Sequence, residues 1–366
     1  MKLHVFNPEH DMALAYNNRN FTAPHAGRTL RKDLGFLPAL WADNGDFVLV
    51  DDIESALESV RHIKKYTNDV VFVTPGDLHN ISLESVGLQV IDAWGWDSAI
   101  KDQLLAANPD LSTMLPTESQ LDTIRTLSNR KFAAENILPA LVDSDSYFIG
   151  EAYYCKSMED VMKILIKYGA IVLKAPWSCS GRGVRYVCNR LDDHTFGWCR
   201  NIILRQGAIM AEPYYNKVKD FGMEFSIDSK SCVSYKGLSL FRTDNGAYSG
   251  SILATEKDKR EMLTKYVSDG ILDNLASAVT KLTSTYLSGR YVGAFGLDMM
   301  IIRTKDGQLK IHPCVEINMR RTMGHVALAI SPSEIEPQGV MRITYSGKYK
   351  LRISRTDNNI INNNLI

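Results

Sequence analysis

At 366 residues the chain is long enough for two or three domains, each with a substantial core. Hydrophobic residues make up 45% and charged residues 23%, as in an ordinary globular protein, and 42 basic residues balance 42 acidic ones. That balance leaves no overall field for nucleic acid or an anionic membrane, and no apolar run approaches the roughly 18 residues of a bilayer span, so neither is expected as a partner.

The opening, MKLHVFNPEHD, breaks its short apolar run with His4 and then charge, which is not a signal-peptide pattern. Six cysteines (Cys155, Cys179, Cys188, Cys199, Cys232, Cys314) show neither a CxxC pair nor zinc-ligand spacing, and read as reduced thiols of a cytoplasmic protein. The runs LHVF, DFVLVDD, VVFVTP and LQVIDAWG alternate with helical stretches such as IESALESVRHIKKY. This βαβ rhythm predicts a small, mostly parallel sheet in an N-terminal α/β domain over residues 1–115. NPEHDMALA, and not GxGxxG, follows the first strand, which argues against a dinucleotide-binding unit. Ligands of open α/β sheets collect beyond the carboxyl ends of strands, where Asn7, Glu9, His10 and Asp11 fall. Those residues serve either a substrate or a loop and helix cap built on Asn7 and Asp11.

At Pro116 the chain changes character. Thr117 and Gln120 make a capping box that opens a helix carrying Leu121, Ile124 and Leu127, and a second helix, NRKFAAENIL, carries Lys131. Strands are expected at AIVLKAP, GVRYV, AIMAEPYY, GMEFSID and YKGLSLF, and a long helix at KYVSDGILDNLASAVTKLTSTYL. The expected division is a subdomain over 116–215, a second over 216–345, and a C-terminal tail over 346–366 that ends in the Asn-rich DNNIINNNLI.

Lys174 ends the apolar strand IVLK and precedes APWSCSGRGVRYV. Ser178, Ser180, Gly181 and Gly183 form a flexible turn between two strands, able to offer backbone N–H groups to phosphate oxygens or to serve as a plain hairpin. Downstream, Ile209 and Met210 offer an apolar wall for a purine, and the backbone at Ala211 with the acceptor Glu212 offers an edge to read it. On GMEFSID, Glu224 and Ser226 face one way while Met223, Phe225 and Ile227 face the other. Glu224 suits the two hydroxyls of a ribose; the plainer reading of both glutamates is a solvent-facing acid.

The segment GLDMMIIRTKDGQLKIHPCVEINMR sets Asp298, Glu316 and Asn318 on two strands of a hairpin. Two carboxylates and a carboxamide suit Mg²⁺, with Mn²⁺ as an alternative, because a hard cation takes oxygen ligands. Glu316 and Asn318 share a face. A two-residue loop at Asp306-Gly307 would pair Asp298 with Val315 and put the two carboxylates on opposite faces. A three-residue loop or a bulge pairs Asp298 with Glu316. The metal reading therefore predicts an odd loop or a bulge, and the competing reading is a solvent-facing hairpin edge.

Taken in order, Lys131, Lys174, the Gly/Ser turn, MAEPYY, Glu224, GLD and EIN resemble the ATP-grasp superfamily over roughly residues 117–330. The resemblance implies an α/β protein with two α+β subdomains around ATP, preceded by a small Rossmann-like domain. It implies that Lys131, Lys174 and the turn (Ser180, Gly181, Gly183) contact phosphates, and that Glu212, Pro213 and Tyr214 hold adenine. Glu224, in competition with Asp220, would bind ribose, and Asp298, Glu316 and Asn318 the metal. Arg320, Arg321, Lys236 and Arg182 are the cations placed to stabilise a transferring phosphoryl group, and Lys236 and Arg242 fall where another phosphate contact is common. The implied activity joins a small-molecule or peptide carboxylate, through an acyl phosphate, to an amine or thiol. Phosphotransfer and nucleotide binding without turnover are the alternatives, and a homo-oligomer is compatible with each.

Overall fold

Four short parallel strands, β1 (Lys2–Val5), β2 (Phe47–Leu49), β3 (Val71–Val73) and β4 (Val90–Ala93), form the first sheet in the order β3-β2-β1-β4. They are the four apolar runs expected from the sequence, and their helical crossovers match the parallel pairing. The computed structural model describes residues 1–178, 183–244, 247–332 and 338–355, with the side chains of 244 and 247 left out.

The helix Glu118–Leu127 starts as expected, with Thr117 and Gln120 capping each other reciprocally. The next helix turns at Arg130–Phe132, widens into a π-turn at Ala133–Ile137 and resumes at Leu138–Ser144. Pro139 has no N–H to give the preceding turn, which accounts for the widening. A second sheet follows, antiparallel, with β5 (Tyr153–Cys155), β6 (Ala170–Lys174), β7 (Val184–Cys188) and β8 (Ile209–Pro213) ordered β5-β8-β6-β7.

Among the described residues from Asn216 onward are the strands β9 (Asn216–Ile227), β10 (Val233–Ser239), β11 (Phe241–Asp244), β12 (Ala247–Leu253), β13 (Gly293–Arg303), β14 (Leu309–Asn318), β15 (Gly339–Tyr345) and β16 (Tyr349–Arg355). They divide into a central sheet, β10-β9-β13-β14, and an outer one, β11-β12-β15-β16. The outer sheet corrects the expected tail: residues 349–355 are an edge strand paired along its whole length with β15. The Asn-rich end lies outside the described residues. The long helix also begins later than expected, at Asp269, after Ser268.

The largest core lies under the central sheet. Met223, Phe225 and Ile227 point into it from β9, as their alternation predicts, and Phe225 stacks on Phe295 of β13 at 5.3 Å. The helix Asp269–Leu287 covers them with Ile271, Leu272, Leu275, Val279 and Leu287, the i, i+4 stripe of a half-buried helix. A second core joins Phe36, Leu37 and Val48 of the first domain to Val326, Ala327, Met341 and Leu351 of the C-terminal part. This shared core fixes the first domain against the outer sheet.

Candidate active site

The β13–β14 hairpin carries both the odd loop and the bulge, either of which the metal reading predicts. Thr304 N–H donates to Gln308 O at 2.9 Å, which closes a three-residue loop over 305–307, and Gly307 takes the left-handed φ of +85° that such a loop needs. The register holds from Arg303↔Leu309 to Met300↔His312, then shifts, so that Asp298 lies opposite Glu316. Pro313 sits within the shift; it has no N–H for the ladder, and β14 is the edge strand, where such a gap is tolerated. The loop sets the parity and the bulge slides the pairing by two residues, putting both carboxylates on one face.

Asn318 donates to Asp298 Oδ2 at 3.3 Å. Burial, followed by the neighbouring charges of Glu316 and Glu224, pushes the Asp298 carboxyl up to about 7, and Asn318 and Arg320 offset this only in part. A raised carboxyl beside further acidic oxygens on one face is what a divalent cation would relieve, so these three residues fit Mg²⁺. Among the described residues no cluster of three or more His, Cys, Asp or Glu side chains is arranged to hold a metal. A set of two carboxylates and one amide leaves room for phosphate oxygens and water.

Arg130 reaches this face from the helix after Asn129, whose side chain accepts from Lys131 N–H. One nitrogen of Arg130 donates to Glu316 Oε1 at 2.6 Å, and the other to Ala175 O at 2.6 Å and Ser178 Oγ at 2.9 Å. Burial works against its charge, but Glu316, Asp11 and Glu212 outweigh that and hold the guanidinium firmly protonated. Arg130 thus ties the acidic face to the base of the Gly/Ser loop. That base is pinched: Ala175 N–H donates to Gly183 O at 2.9 Å, and a Cβ on Gly183 would collide with Ser178. Ser180, Gly181, Arg182 and Cys179 lie outside the described residues.

Lys174 ends β6 buried, 2.6 Å from Glu212 Oε2 of β8. Two residues that the sequence assigns to different parts of a nucleotide therefore pair with each other in this structure. His312 packs against the Tyr215 ring at 5.3 Å, with neither ring nitrogen hydrogen-bonded. Burial, and then the charge of Lys174, push its pKa down to about 3, so it is neutral at pH 7.

Other expected residues stand elsewhere. Lys131 is turned toward β5, its ammonium 5.0 Å from the Tyr154 ring and 3.6 Å from Glu135. Tyr214, after Pro213 at the end of β8, is exposed and packs edge-on against Tyr186. Glu224 is a correction: it is only 3% exposed, accepts from Thr322 Oγ1 at 2.8 Å and lies 3.0 Å from His325 Nδ1. Gly296 and Gly324 pack so closely on its carboxyl that a Cβ on either would collide with it, so it is not offered to a ribose. Asp220 is paired with Lys217 at 2.6 Å and accepts from Thr243 at 3.0 Å. Lys236 sits exposed at a bulge of the edge strand β10, and Arg242 is exposed on β11.

The two arginines after Glu316-Ile317-Asn318 diverge. Arg320 holds Asp11 through two nitrogens at 2.7–3.1 Å and still lies near enough to lower Asp298. Arg321 turns into the first domain, 2.7 Å from Asp92 and over the Trp41 ring at 4.8 Å, and so is not brought to the carboxylates. Arg130 is the functional candidate that sequence reasoning missed, although it neighbours Lys131 in the same motif.

No family model matches the sequence, and no curated protein matches it. Solved structures do. The chain is similar to Campylobacter jejuni biotin carboxylase in complex with β-γ-ATP, at 12% identity and a TM-score of 0.51 over 93% of this chain and 75% of that one. Rhizobium etli pyruvate carboxylase aligns at 12% identity and a TM-score of 0.50 over 93% of this chain and 31% of its own much longer one. Staphylococcus aureus N5-carboxyaminoimidazole synthetase complexed with ADP aligns at 13% identity and a TM-score of 0.47 over 94% and 82%. The likeness to the first two of these structures bears on the fold, and the chain has the ATP-grasp fold.

Proposed function

We propose that this chain is an ATP- and Mg²⁺-dependent ligase that activates a small-molecule or peptide carboxylate as an acyl phosphate and joins it to an amine or thiol, releasing ADP and phosphate. The observation that carries this is the charge arrangement of the cleft. Asp298, Glu316 and Asn318 share one face of the central sheet, Arg130 and Arg320 reach toward it, and Lys174 stands buried beside Glu212 of β8. Oxygen ligands beside several cations suit a metal-bound polyphosphate and little else of small size.

The residues divide the work. Held by Asp298, Glu316 and Asn318, Mg²⁺ or Mn²⁺ would neutralise charge on the transferred phosphoryl group. Arg130 and Lys174 orient the phosphates, and Lys131 adds a more exposed cation. Glu212 with Pro213 and Tyr214 borders the base, which requires Glu212 to share Lys174 with the nucleotide. Arg320, anchored by Asp11, faces the acyl acceptor. The neighbour in complex with β-γ-ATP supports this reading at the level of fold.

Incubation with ATP, Mg²⁺ and pooled carboxylates and amines tests the proposal. Ligation releases ADP and free phosphate only when both substrate pools are present. Phosphate transferred to one acceptor without free phosphate would make the chain a kinase, and no turnover with any pool would make it a binding module.

A further inference from the structure

Beyond the carboxyl ends of β1 to β4 the first domain holds a cavity of about 640 Å³, and none of the residues around Glu316 lines it. This is the size range of small-molecule sites, and the position is the usual ligand crevice of an open parallel sheet. Its apolar wall comes from Ala13, Phe21, Leu49, Ile100 and Leu104. The polar groups are arranged unevenly, and the unevenness identifies the ligand.

Glu9 lines the cavity and is 8% exposed. Its Oε1 takes a hydrogen bond from Arg31 at 2.9 Å, while its Oε2, equally buried, has no hydrogen-bond partner. Arg31 is already shared with Gln103 Oε1 at 2.8 Å, which limits what it can give a ligand. Burial keeps the Glu9 carboxyl above the ordinary range even with Arg31 beside it. The helix Ser98–Ala107 starts at the cavity, but its first free N–H groups, those of Ala99 and Ile100, are taken by Asp97 Oδ1 at 2.9 and 3.0 Å. That helix end is therefore closed to an anion. His79 Nδ1 lies 3.2 Å from Ala107 O, so in the neutral ring its other nitrogen is an acceptor. Asp51, exposed at the rim, is a second acceptor, and exposed Arg28 is the cation at the mouth.

From this cavity we infer a second small-molecule site, which takes an amine-bearing compound with its ammonium on Glu9 Oε2 and its carboxylate on Arg28. An ammonium group supplies the donor that Glu9 lacks, and the apolar wall accommodates the carbon skeleton. The assignment is independent of the ligase reading, because it concerns binding in the absence of ATP. Glu9 and Asp11 are two positions apart at the start of the helix His10–Tyr16, and they point to opposite sides, one into the cavity and the other to Arg320. The cavity therefore adjoins the cleft through one turn of helix.

The test is thermal unfolding of the full chain, without nucleotide, against the free α-amino acids and glycyl dipeptides, each beside its N-acetylated form. At least one free amine is expected to raise the melting temperature by about 3 °C when saturating, with no rise from its acetylated partner. Glu9→Gln keeps the shape and removes the charge, and should weaken that ligand at least ten-fold. Arg28→Ala, at an exposed position, should weaken the same ligand while sparing its decarboxylated amine. Equal shifts from acetylated compounds, a shift that survives both substitutions, a shift from inorganic phosphate alone, or no shift across the whole panel would each overturn the assignment. ATP turnover is not read in any arm, so loss of ligase activity and loss of this site are separate outcomes.

Discussion

Two clusters of charge lie on either side of Arg320 and Arg321, and they are built to opposite rules. In the first domain His4 stands between two carboxylates, Asp46 at 3.0 Å and Asp92 at 2.9 Å, and Arg321 closes the set at 2.7 Å from Asp92. Burial pushes Asp92 upward, but Arg321 and His4 outweigh it and hold its carboxyl well below the ordinary carboxylate range. In the cleft, burial and the charges of Glu316 and Glu224 outweigh Asn318 and Arg320, and Asp298 goes up to about 7. The first cluster is complete in itself and joins two parts of the fold. In the second, Arg130 answers Glu316, while burial and the neighbouring acids leave Asp298 raised. Burial is common to both, so it is the balance of partners that separates a structural cluster from a binding one.

The largest expected effect comes from the second cluster. Glu316→Gln should cut ATP turnover by at least about a thousand-fold, the scale of losing a metal ligand at a phosphoryl-transfer site, with circular dichroism unchanged. Full activity in this variant would remove the metal from the reading. The register makes the same point structurally, since Glu316 faces Asp298 only because the bulge at Pro313 slides β14 by two residues.

The next effect is one of sign. Between pH 4 and 7 the metal-free folded protein binds a proton on Asp298 that the unfolded chain, with an ordinary value of 3.8, has released. Stability contributed by this group therefore falls as pH rises through that window and is flat above it, by up to about 4 kcal/mol. Asp298→Asn should accordingly stabilise the metal-free protein at pH 8 by about 1–3 kcal/mol in urea unfolding, while abolishing turnover. Mg²⁺ should stabilise the native chain and leave the variant unaffected. Destabilisation by Asp298→Asn would mean that the cluster is already satisfied.

Asp92 should behave in the opposite way. Its folded value lies below its unfolded one, so its contribution is present above about pH 4 and is lost as pH falls through the folded value. Asp92→Asn should destabilise by about 2–3 kcal/mol, somewhat less than for a fully buried pair because both Asp92 and Arg321 keep some solvent contact. Urea unfolding at pH 7 measures it, and a change under 0.5 kcal/mol would make the cluster incidental to the joining of the two parts.

The difference between the clusters also explains what the sequence shows and what it hides. Strands with one apolar face, such as GMEFSID, are legible because the core imposes a two-residue period on them. The outer sheet is not: in YKLRISR of β16 three cations interrupt the apolar positions, and a strand exposed on one side with a charged face reads as a tail. The odd loop at Gly307 follows from the requirement that two acids share a face. The two-residue slide at Pro313 keeps the parity, so no pattern of alternation reveals it. The His4 cluster is invisible in sequence because its members come from β1, β4, the loop before β2 and the turn after β14. Each is an ordinary residue until the fold brings them together.

The smallest predicted effect concerns two adjacent cations. One step along a helix turns a side chain by about 100°, so of Arg130 and Lys131 only one can face Glu316. Sequence reasoning favours the lysine; the structure brings in the arginine, buried and paired at 2.6 Å, and leaves Lys131 half exposed above Tyr154. An exposed cation acts through a high dielectric and is worth roughly 1 kcal/mol or less. Lys131→Ala should therefore raise the KM for ATP no more than about five-fold with kcat unchanged. Arg130→Lys, which keeps the charge but loses the fork that spans Glu316 and Ala175, should lower kcat by more than ten-fold. If the ranking came out reversed, with Lys131→Ala costing a hundred-fold, the helix would have to turn on nucleotide binding. The π-turn at Ala133–Ile137 is where such a rotation would be absorbed.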